Sequence, residues 1–246
     1  MARSSKLCYN DYMLRNKARL PSPAASANGG QSKNGKAKVP IVISVGGSLI
    51  VPNEIDLAFL KSLKKMIEKG VGKGRKFIII TGGGKTARNY QNAAKKISNP
   101  SPRELDMIGI GALNLNAELV RILFRNLPQV SIYGAEKPGS STDLGAVMLA
   151  KKFKTKKLIN LSNIDYVYDR DPRIHADAKR IERIIWKEFR RIIPKKWDPG
   201  LNSPFDPVAS REAEKIGLEV AIINGKKLEE IENFLSDKKF VGTLIR

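Results

Sequence analysis

Five short apolar runs, separated by helical patterns, constrain the fold of this chain more than any other feature of its sequence. They are rich in β-branched residues, and they occupy Ile41 to Val45, Phe77 to Ile80, Val130 to Tyr133, Leu158 to Leu161 and Val220 to Ile223. Strands of a parallel sheet look like this because helices cover both of their faces. We therefore predict an α/β fold with a mainly parallel central sheet sandwiched by helices.

Two segments between these runs carry apolar residues at the spacing of a helix face. The first face consists of Leu57, Leu60, Leu63 and Ile67. The second face consists of Ile108, Ala112, Leu115, Leu119 and Ile122. We expect both faces to pack on the sheet, and we expect a later helix, from Val208 to Gly217, to lead into the fifth strand.

The beginning of the chain differs in composition from the rest. Residues Pro21 to Lys38 are rich in Ser, Ala, Asn, Gly and Lys and have no apolar periodicity, which is typical of a disordered segment. We predict a disordered basic tail over residues 1–38 and one folded domain over residues 39–246. The sequence has no apolar run of membrane-spanning length, no apolar core of a secretory signal and a single cysteine, Cys8, so we expect a cytoplasmic protein.

The net charge of +21 attracts phosphate groups, whether they belong to nucleotides, nucleic acids or anionic membranes. Eight Lys or Arg residues and one acid lie in the first 40 residues, and the remaining basic residues are spread without a dense run. No nucleic-acid recognition motif accompanies this charge. We therefore expect a solvated basic surface, with no specific nucleic-acid partner and no membrane partner.

The first two predicted strands end in glycine-rich segments. Gly46-Gly47-Ser48 follows the first strand, where glycine lets the backbone approach a phosphate, although a tight turn would have the same sequence. Gly82-Gly83-Gly84-Lys85-Thr86-Ala87-Arg88 follows the second strand and opens a helix, which combines backbone donors, a helix dipole and positive charge. It is not a Walker A loop, because Ile79 stands where that motif requires glycine. The segment predicts a phosphate site; the alternative is a flexible connection whose cations face solvent.

The third and fourth strands are also followed by polar residues. In the segment from Gly134 to Asp143, Asp143 either caps the helix predicted from Leu144, or the preceding hydroxyls and amides bind an anion. In the segment from Ser162 to Pro172, three carboxylates lie within seven residues. They suit a metal-bound triphosphate or a nearby lysine, and they are also common in turns. Open α/β sheets bind ligands at these strand ends.

Taken in order, these segments resemble the amino acid kinase family, and within it the archaeal-type UMP kinases most closely. The matching motifs are Val45–Ser48, Gly82–Arg88, Leu105–Gly109, Lys137–Asp143 and Ser162–Pro172, followed by Asp206–Ala209 and Gly242–Ile245. The resemblance covers residues 39–246 and implies the amino acid kinase fold. It also implies transfer of the γ-phosphoryl group of MgATP to UMP, in pyrimidine nucleotide biosynthesis, with Mg²⁺ as cofactor. A homo-oligomer is implied as well, and by the same resemblance a hexamer.

The resemblance further implies a role for each matching residue. The residues implied to bind ATP are Gly47, Ser48, Gly84 and Arg88 at its phosphates, and Ser162, Asn163, Tyr168 and Asp171 at its base and ribose. The residues implied to bind UMP are Gly83, Asp106, Glu136, Lys137, Pro138, Gly139, Ser140, Ser141 and Thr142. The implied catalytic aspartate is Asp165, and we add Lys85 and Arg88 as catalytic cations. No metal-ligating side chain is implied.

The chain departs from the family pattern at several positions. Ser44 stands where many members carry a lysine that stabilises the transferring phosphoryl group, although archaeal-type UMP kinases also lack it. Tyr166 stands where the family often has glycine, and the linker from Leu123 to Gly134 is shorter than usual. These departures leave open a catalytically weak nucleotide-binding or regulatory protein of the same fold. For Asp106, the alternative to UMP binding is a helix N-cap.

Overall fold

A seven-stranded, mainly parallel sheet forms the centre of the computed structural model, which describes residues 39–135, 138–139, 141–196 and 203–246. The strands of these residues are β1 (Ile41–Val45), β2 (Phe77–Thr81), β3 (Val130–Tyr133), β4 (Lys157–Ser162), β5 (Val167–Tyr168), β6 (Arg180–Ile181), β7 (Arg183–Ile184), β8 (Glu219–Asn224) and β9 (Thr243–Ile245). The order in the sheet is β3-β2-β1-β4-β8-β9-β7, and β5 and β6 form a separate hairpin.

The first strand, β1, lies in the interior of the sheet, and later strands lie on both of its sides. β2 and β4 flank β1 in parallel, and β3 and β8 extend the sheet on either side. All five strands predicted from the sequence are therefore confirmed, together with the parallel sheet. The sequence analysis missed β9, an antiparallel neighbour of β8, because a run of three residues with only two apolar ones, Leu244 and Ile245, is too short to separate a strand from a loop.

Helices cover both faces of the sheet. In the described residues they are α1 (Gly47–Ile50), α2 (Leu57–Gly72), α3 (Gly84–Ile97), α4 (Pro102–Leu123), α5 (Thr142–Phe153), α6 (Trp186–Ile192), α7 (Pro207–Lys215) and α8 (Glu230–Leu235). Side chains of α2, α4 and α8 contribute to the core on one face, and those of α5, α6 and α7 to the core on the other. The predicted sandwich of helices around the sheet is confirmed.

Hydrogen-bonded caps set the beginnings of two helices that border the site. Ser101 caps α4 in a capping box with Glu104, so Asp106 lies inside the helix and the N-cap alternative for Asp106 is wrong. Ser141 caps α5 by accepting a hydrogen bond from the backbone N of Leu144, at 3.1 Å. The interpretation of Asp143 as the cap is therefore wrong too, and its carboxyl group is left for other contacts.

The predicted packing face of α4 is confirmed in part, since Ala112 is buried and Leu119 packs against the core. Leu115 and Ile122, expected to pack on the sheet, are 65% and 59% exposed. The residues that α4 buries instead include Leu113, Ala117 and Val120. The helix is apolar around most of its circumference, so its sequence is compatible with more than one packing face. The contacts of α4 with β2 and β3 determine which residues are buried. On α2, Leu60, Leu63 and Ile67 are buried as expected, whereas Leu57 at its first position is exposed.

Two predictions concern residues outside the described part of the chain. The basic tail of residues 1–38 lies entirely outside it, so the tail and its boundary at residue 39 stay predictions. The second is a loop from Asp198 to Pro204, which the Asp-Pro-Gly and Ser-Pro sequences of this segment predict, and most of it also lies outside the described residues. Among the helices that the structure does describe, none has the length and apolar character needed to cross a membrane.

Candidate functional site

A cleft of about 330 Å³ opens at the carboxyl ends of β1, β2 and β4. Ligands of open α/β sheets bind at this kind of position, where the strand order changes direction. The structure brings together in this cleft many of the residues to which the sequence analysis gave roles. They are Gly47, Ser48, Gly83, Gly84, Arg88, Asp106, Ser141, Thr142, Ser162 and Asn163.

Other residues with predicted roles do not line this cleft. Those that the structure describes are Lys85, Pro138, Gly139, Asp165, Tyr168 and Asp171. Three further predicted UMP-binding residues, Glu136, Lys137 and Ser140, lie outside the described residues.

The two glycine segments that follow β1 and β2 touch each other through their backbones. A Cβ atom placed on Gly47 would lie 2.1 Å from the backbone N of Gly84 and 2.6 Å from the carbonyl carbon of Gly82. Gly84 has a φ of 63°, a conformation that side chains rarely tolerate. The approach thus requires glycine, and it brings the two segments into a single surface of the cleft.

Backbone N–H groups without partners accompany this contact. Within the described residues, the N–H groups of Gly47, Ser48, Gly83 and Gly84 have no hydrogen-bond acceptor, whereas those of the flanking Gly82 and Lys85 bond to Val45 and Val51. These unpaired donors lie beside the N-terminus of α3, and the cation Arg88 also lines the cleft. Such a combination of donors, helix dipole and positive charge is typical of a phosphate-binding site.

A half-buried carboxyl group, Asp143, lies in the wall of the cleft. Its Oδ1 is 3.5 Å from the hydroxyl of Ser44 and 3.3 Å from the amide nitrogen of Asn160, and its Oδ2 accepts from the backbone N of Asp206 at 3.0 Å. Desolvation, with a smaller contribution from the nearby charge of Asp206, raises the pKa of Asp143 to about 7, although the hydrogen bonds from the backbone N of Asp206 and from Ser44 lower it. Among the described residues, no cation forms an ion pair with Asp143, which contacts the hydroxyl of Ser44 instead.

The sequence analysis gave no role to Asn160 or to the pair of Asp143 and Asp206. Asn160 carried a usable signal, since it is a polar residue inside an otherwise apolar strand, and it is only 5% exposed. Asp206 caps α7 by accepting from the backbone N of Ala209, and burial raises its pKa as well. That Asp143 and Asp206 meet could not be read from the sequence, because 62 residues separate them.

Asp106 lies on the opposite side of the cleft, on the second turn of α4. Its Oδ2 accepts a hydrogen bond from the backbone N of Gly139, which belongs to the segment after β3. Gln91 of α3 donates to the carbonyl oxygen of Leu105 at 2.9 Å and thereby joins α3 to α4 beside this residue. The carboxylate is thus held at the cleft, where hydroxyl groups of a ligand could donate to it.

The proposed catalytic residue Asp165 has partners of its own. Its Oδ1 lies 2.8 Å from the amide nitrogen of Asn224 and 3.0 Å from the ammonium nitrogen of Lys227. The hydrogen bonds from Lys227 and then Asn224 hold the pKa of Asp165 below its usual range. These contacts join the segment after β4 to the end of β8, so they support a structural role for Asp165 at the edge of the site.

The remaining predicted ATP residues belong to the segment that surrounds the β5–β6 hairpin. Asp171 forms a bidentate ion pair with Arg173, at 3.0 and 2.7 Å, which lowers the pKa of Asp171 to about 2. Tyr168 lies in β5. The guanidinium group of Arg180 lies 5.2 Å from the ring centre of Tyr166, so Tyr166 packs against the hairpin.

The cleft suits a metal ion that arrives with its nucleotide better than one held by the protein alone. In the described ranges, no cluster of three or more His, Cys, Asp and Glu side chains is placed to hold a metal. Two acids, Asp106 and Asp143, line the cleft. A nucleotide-bound Mg²⁺ takes most of its ligands from phosphate and water and needs only one or two carboxylates. The acids present are compatible with such an ion.

Known proteins are similar to this chain over most of its length. The model of the amino acid kinase family matches residues 40–135 and 131–224. The uridylate kinase of Thermoplasma acidophilum is 33% identical over 223 residues, which cover 83% of this chain and 96% of that protein. The uridylate kinase of Methanococcus aeolicus is 31% identical over 225 residues, which cover 83% of this chain and 98% of that protein.

Solved structures show the same likeness. The crystal structure of uridylate kinase from Archaeoglobus fulgidus is similar with a TM-score of 0.70 and 28% identity, over 84% of this chain and all of that one. The UMP kinase of Bacillus anthracis shares the fold, with a TM-score of 0.71 and 18% identity over 85% of this chain and 96% of that one. With its sheet order, its paired glycine segments and the match of the family model to most of its length, this chain belongs to the amino acid kinase family.

Proposed function

We propose that this chain is an ATP-dependent UMP kinase, which transfers the γ-phosphoryl group of MgATP to UMP and releases UDP and ADP. The observation that carries the proposal is the contact between the two glycine segments, with unpaired N–H groups and Arg88 at one cleft. The choice of UMP is supported by relatives that are named uridylate kinases and are 28–33% identical to this chain. The cytoplasmic location and the homo-oligomer expected from the sequence stay predictions.

The proposal divides the cleft between two nucleotides. The residues that we assign to the ATP phosphates and to the part of ATP next to them are Gly47, Ser48, Gly84, Arg88, Ser162 and Asn163. The residues that we assign to UMP are Gly83, Asp106, Ser141 and Thr142, on the side of α4 and the segment after β3. Tyr168 and Asp171 lie beyond the cleft lining, which fits the base and ribose of ATP, the parts most distant from its γ-phosphate.

The reaction needs positioning and charge neutralisation more than covalent chemistry. An oxygen of the UMP phosphate attacks the γ-phosphorus in line, and the bond from that phosphorus to the leaving oxygen of ADP breaks. The unpaired N–H groups and the guanidinium of Arg88 neutralise charge on the phosphoryl oxygens. Mg²⁺ brought with ATP would be held by the carboxylates that line the cleft, Asp106 and Asp143, and it would supply further positive charge to neutralise the phosphate oxygens.

The cations of the site do not contribute equally to this proposal. Arg88 lines the cleft, whereas the side chain of Lys85 does not, and its backbone N is bonded to Val51. We therefore propose Arg88 as the principal protein cation and keep Lys85 as a secondary one. Asp165, whose carboxylate is held by Lys227, is better supported as a positioning residue than as one that touches a substrate.

The proposal is tested by giving purified protein MgATP with each common nucleoside monophosphate and counting the diphosphates formed. UMP should give the highest kcat/KM. Binding of ATP and UMP without any phosphorylation would contradict the proposal. That result would favour the alternative of a nucleotide-binding regulatory protein, which is suggested by Ser44 in place of the lysine that many family members carry. Salt-sensitive binding of RNA without nucleotide turnover would instead point to the basic surface.

Replacing Arg88 by alanine should lower kcat/KM for ATP about 10- to 100-fold, since a hydrogen bond between charged groups contributes roughly 1.5–3 kcal/mol. The matched control is Lys152→Ala, which removes the same charge from an exposed position in the last turn of α5, outside the cleft. Steady-state kinetics of both variants at one ionic strength are compared. Equal, small effects would mean that Arg88 contributes only to the general positive field.

Replacing Asp106 by alanine should lower kcat/KM for UMP about 10- to 100-fold while the affinity for ATP changes little. Ser101 rather than Asp106 caps α4, so the loss should not be explained by a weakened helix start. Glu118→Ala, an exposed acid on the same helix, serves as control. Unchanged UMP kinetics together with a lower Tm would remove Asp106 from the substrate site.

A further inference from the structure

One buried polar side chain, Asn116 of α4, contacts the glycine segment after β2 without lining the cleft. It is 4% exposed, and its amide nitrogen donates to the carbonyl oxygen of Gly82 at 2.8 Å. It lies on the stripe of α4 that also buries Leu113, Ala117 and Val120. A polar residue on such a stripe is unfavourable unless its hydrogen bonds are made, so this bond accounts for its presence there.

The hydrogen bond from Asn116 orients a whole peptide unit, because the carbonyl group of Gly82 and the N–H group of Gly83 belong to the same unit. That unit is planar and trans, since the described residues contain no cis peptide bond. The two groups therefore point in opposite directions. With the oxygen of Gly82 held by Asn116, the N–H of Gly83 is directed away from α4's buried stripe. Gly83 lines the cleft, and its N–H has no acceptor among the described residues.

This peptide unit needs such an anchor. It is flanked by glycine on both sides, and glycine backbones rotate between conformations that other residues exclude. If the unit rotated by half a turn, a carbonyl oxygen would replace the N–H donor at the cleft. An oxygen there would repel a phosphate group instead of binding it.

We propose that Asn116 is a positioning residue for phosphoryl transfer, which holds the peptide unit between Gly82 and Gly83 so that the N–H of Gly83 faces the phosphate of the acceptor nucleotide. The identity of that phosphate rests on the proposed function. The orientation of the peptide unit does not, because it follows from the contact between Asn116 and Gly82.

A neighbouring contact supplies a matched control. Thr81 is fully buried, and its hydroxyl donates to the carbonyl oxygen of Leu113 at 3.2 Å. This bond joins the end of β2 to α4, as the Asn116 bond does, but it involves no atom of the peptide unit between Gly82 and Gly83. The substitution Thr81→Val removes this hydrogen bond with little change in the shape of the side chain. The variant therefore measures the effect of weakening the contact between β2 and α4 alone.

The first experiment compares Asn116→Ala with Thr81→Val in UMP binding, by calorimetry, and in steady-state kinetics. Asn116→Ala should weaken UMP binding and lower kcat/KM for UMP about 10- to 100-fold, as expected for the loss of a hydrogen bond to a charged group. Thr81→Val should lower the Tm by a similar amount and change UMP binding little. Equal changes in UMP binding for the two variants would overturn the inference.

A second measurement does not depend on the activity. Hydrogen exchange of the Gly82 and Lys85 amides, which are bonded to Val45 and Val51, is followed without nucleotide. Exchange should be faster in Asn116→Ala than in Thr81→Val if Asn116 anchors the segment, and equal rates would contradict this. A wild-type protein that makes no UDP would refute the proposed function, while the exchange comparison would still decide the role of Asn116.

A third variant covers the case in which Asn116→Ala does not fold. Asn116→Asp keeps the shape of the side chain but can donate to Gly82 only while the new carboxyl group is protonated. Its affinity for UMP, relative to wild type, should therefore fall as the pH rises. A purely structural role would give parallel pH profiles for the variant and the wild type, and that result would also overturn the inference.

Discussion

Replacing Gly47 by alanine is expected to lower the rate of UMP phosphorylation by about 100-fold or more and to destabilise the protein. The new Cβ would lie 2.1 Å from the backbone N of Gly84 and 2.6 Å from the carbonyl carbon of Gly82, and backbone atoms cannot move aside as a flexible side chain can. The two glycine segments would have to separate. Overpacking of this kind destabilises proteins by about 1–3 kcal/mol, and misplacing reacting groups by about 1 Å slows reactions about 100-fold.

The expectation is checked by measuring kcat, KM for both nucleotides and Tm of Gly47→Ala beside Gly72→Ala. Gly72 ends α2, and a Cβ atom placed on it would meet nothing within 4 Å. Its replacement should leave the activity unchanged and should not lower the Tm. A Gly47→Ala protein with nearly wild-type kcat and Tm would show that the close backbone contact is not required.

Replacing Asp143 by asparagine is expected to make the protein more stable than the wild type at pH 8 and to flatten its dependence of stability on pH. Burial raises the pKa of Asp143 from 3.8 in the unfolded chain to about 7 in the folded one. The folded state therefore binds a proton more tightly, so the free energy of unfolding falls as the pH rises from about 4 to about 7. The full difference is on the order of 4 kcal/mol, since each pKa unit corresponds to about 1.4 kcal/mol.

Asparagine resembles the protonated acid in shape and carries no charge, so the free energy of unfolding of the variant should depend much less on pH. Urea denaturation at several pH values between about 5 and 8 measures it. Asp171→Asn is the control, because the pKa of Asp171 is about 2 and its titration ends below this range. Parallel pH curves for the wild type and Asp143→Asn would show that Asp143 is ionised throughout.

The sequence predicted the central sheet well, because strands that helices cover on both faces must be continuously apolar. All five predicted strands are present and parallel, and only their ends differ, by one residue. The glycine segments were also recognisable, since few structures other than turns and phosphate sites need three glycines at a strand end. Their position at strand ends predicted ligand-binding segments, whereas the adjacency of β1 and β2, which brings them into one cleft, came from the structure.

Other features depended on distances between residues that are far apart in the chain. The sequence showed that α4 was apolar, but not which of its residues would pack: of the expected face, Leu115 and Ile122 are exposed, whereas Ala112 is buried. It showed a carboxylate at Asp143, but not the absence of a paired cation or the contact with Asp206.

The sequence by itself thus determined the α/β class, the parallel strands and the polar segments at their carboxyl ends, because periodicity and glycine content act locally along the chain. Tertiary structure decided which of those segments meet. It brought Gly47 into contact with Gly84, it placed Asp143 beside Asp206, and it brought Asn116 to the carbonyl oxygen of Gly82. Each of these contacts joins residues more than 30 positions apart, and only the packing of helices on the assembled sheet fixes such distances.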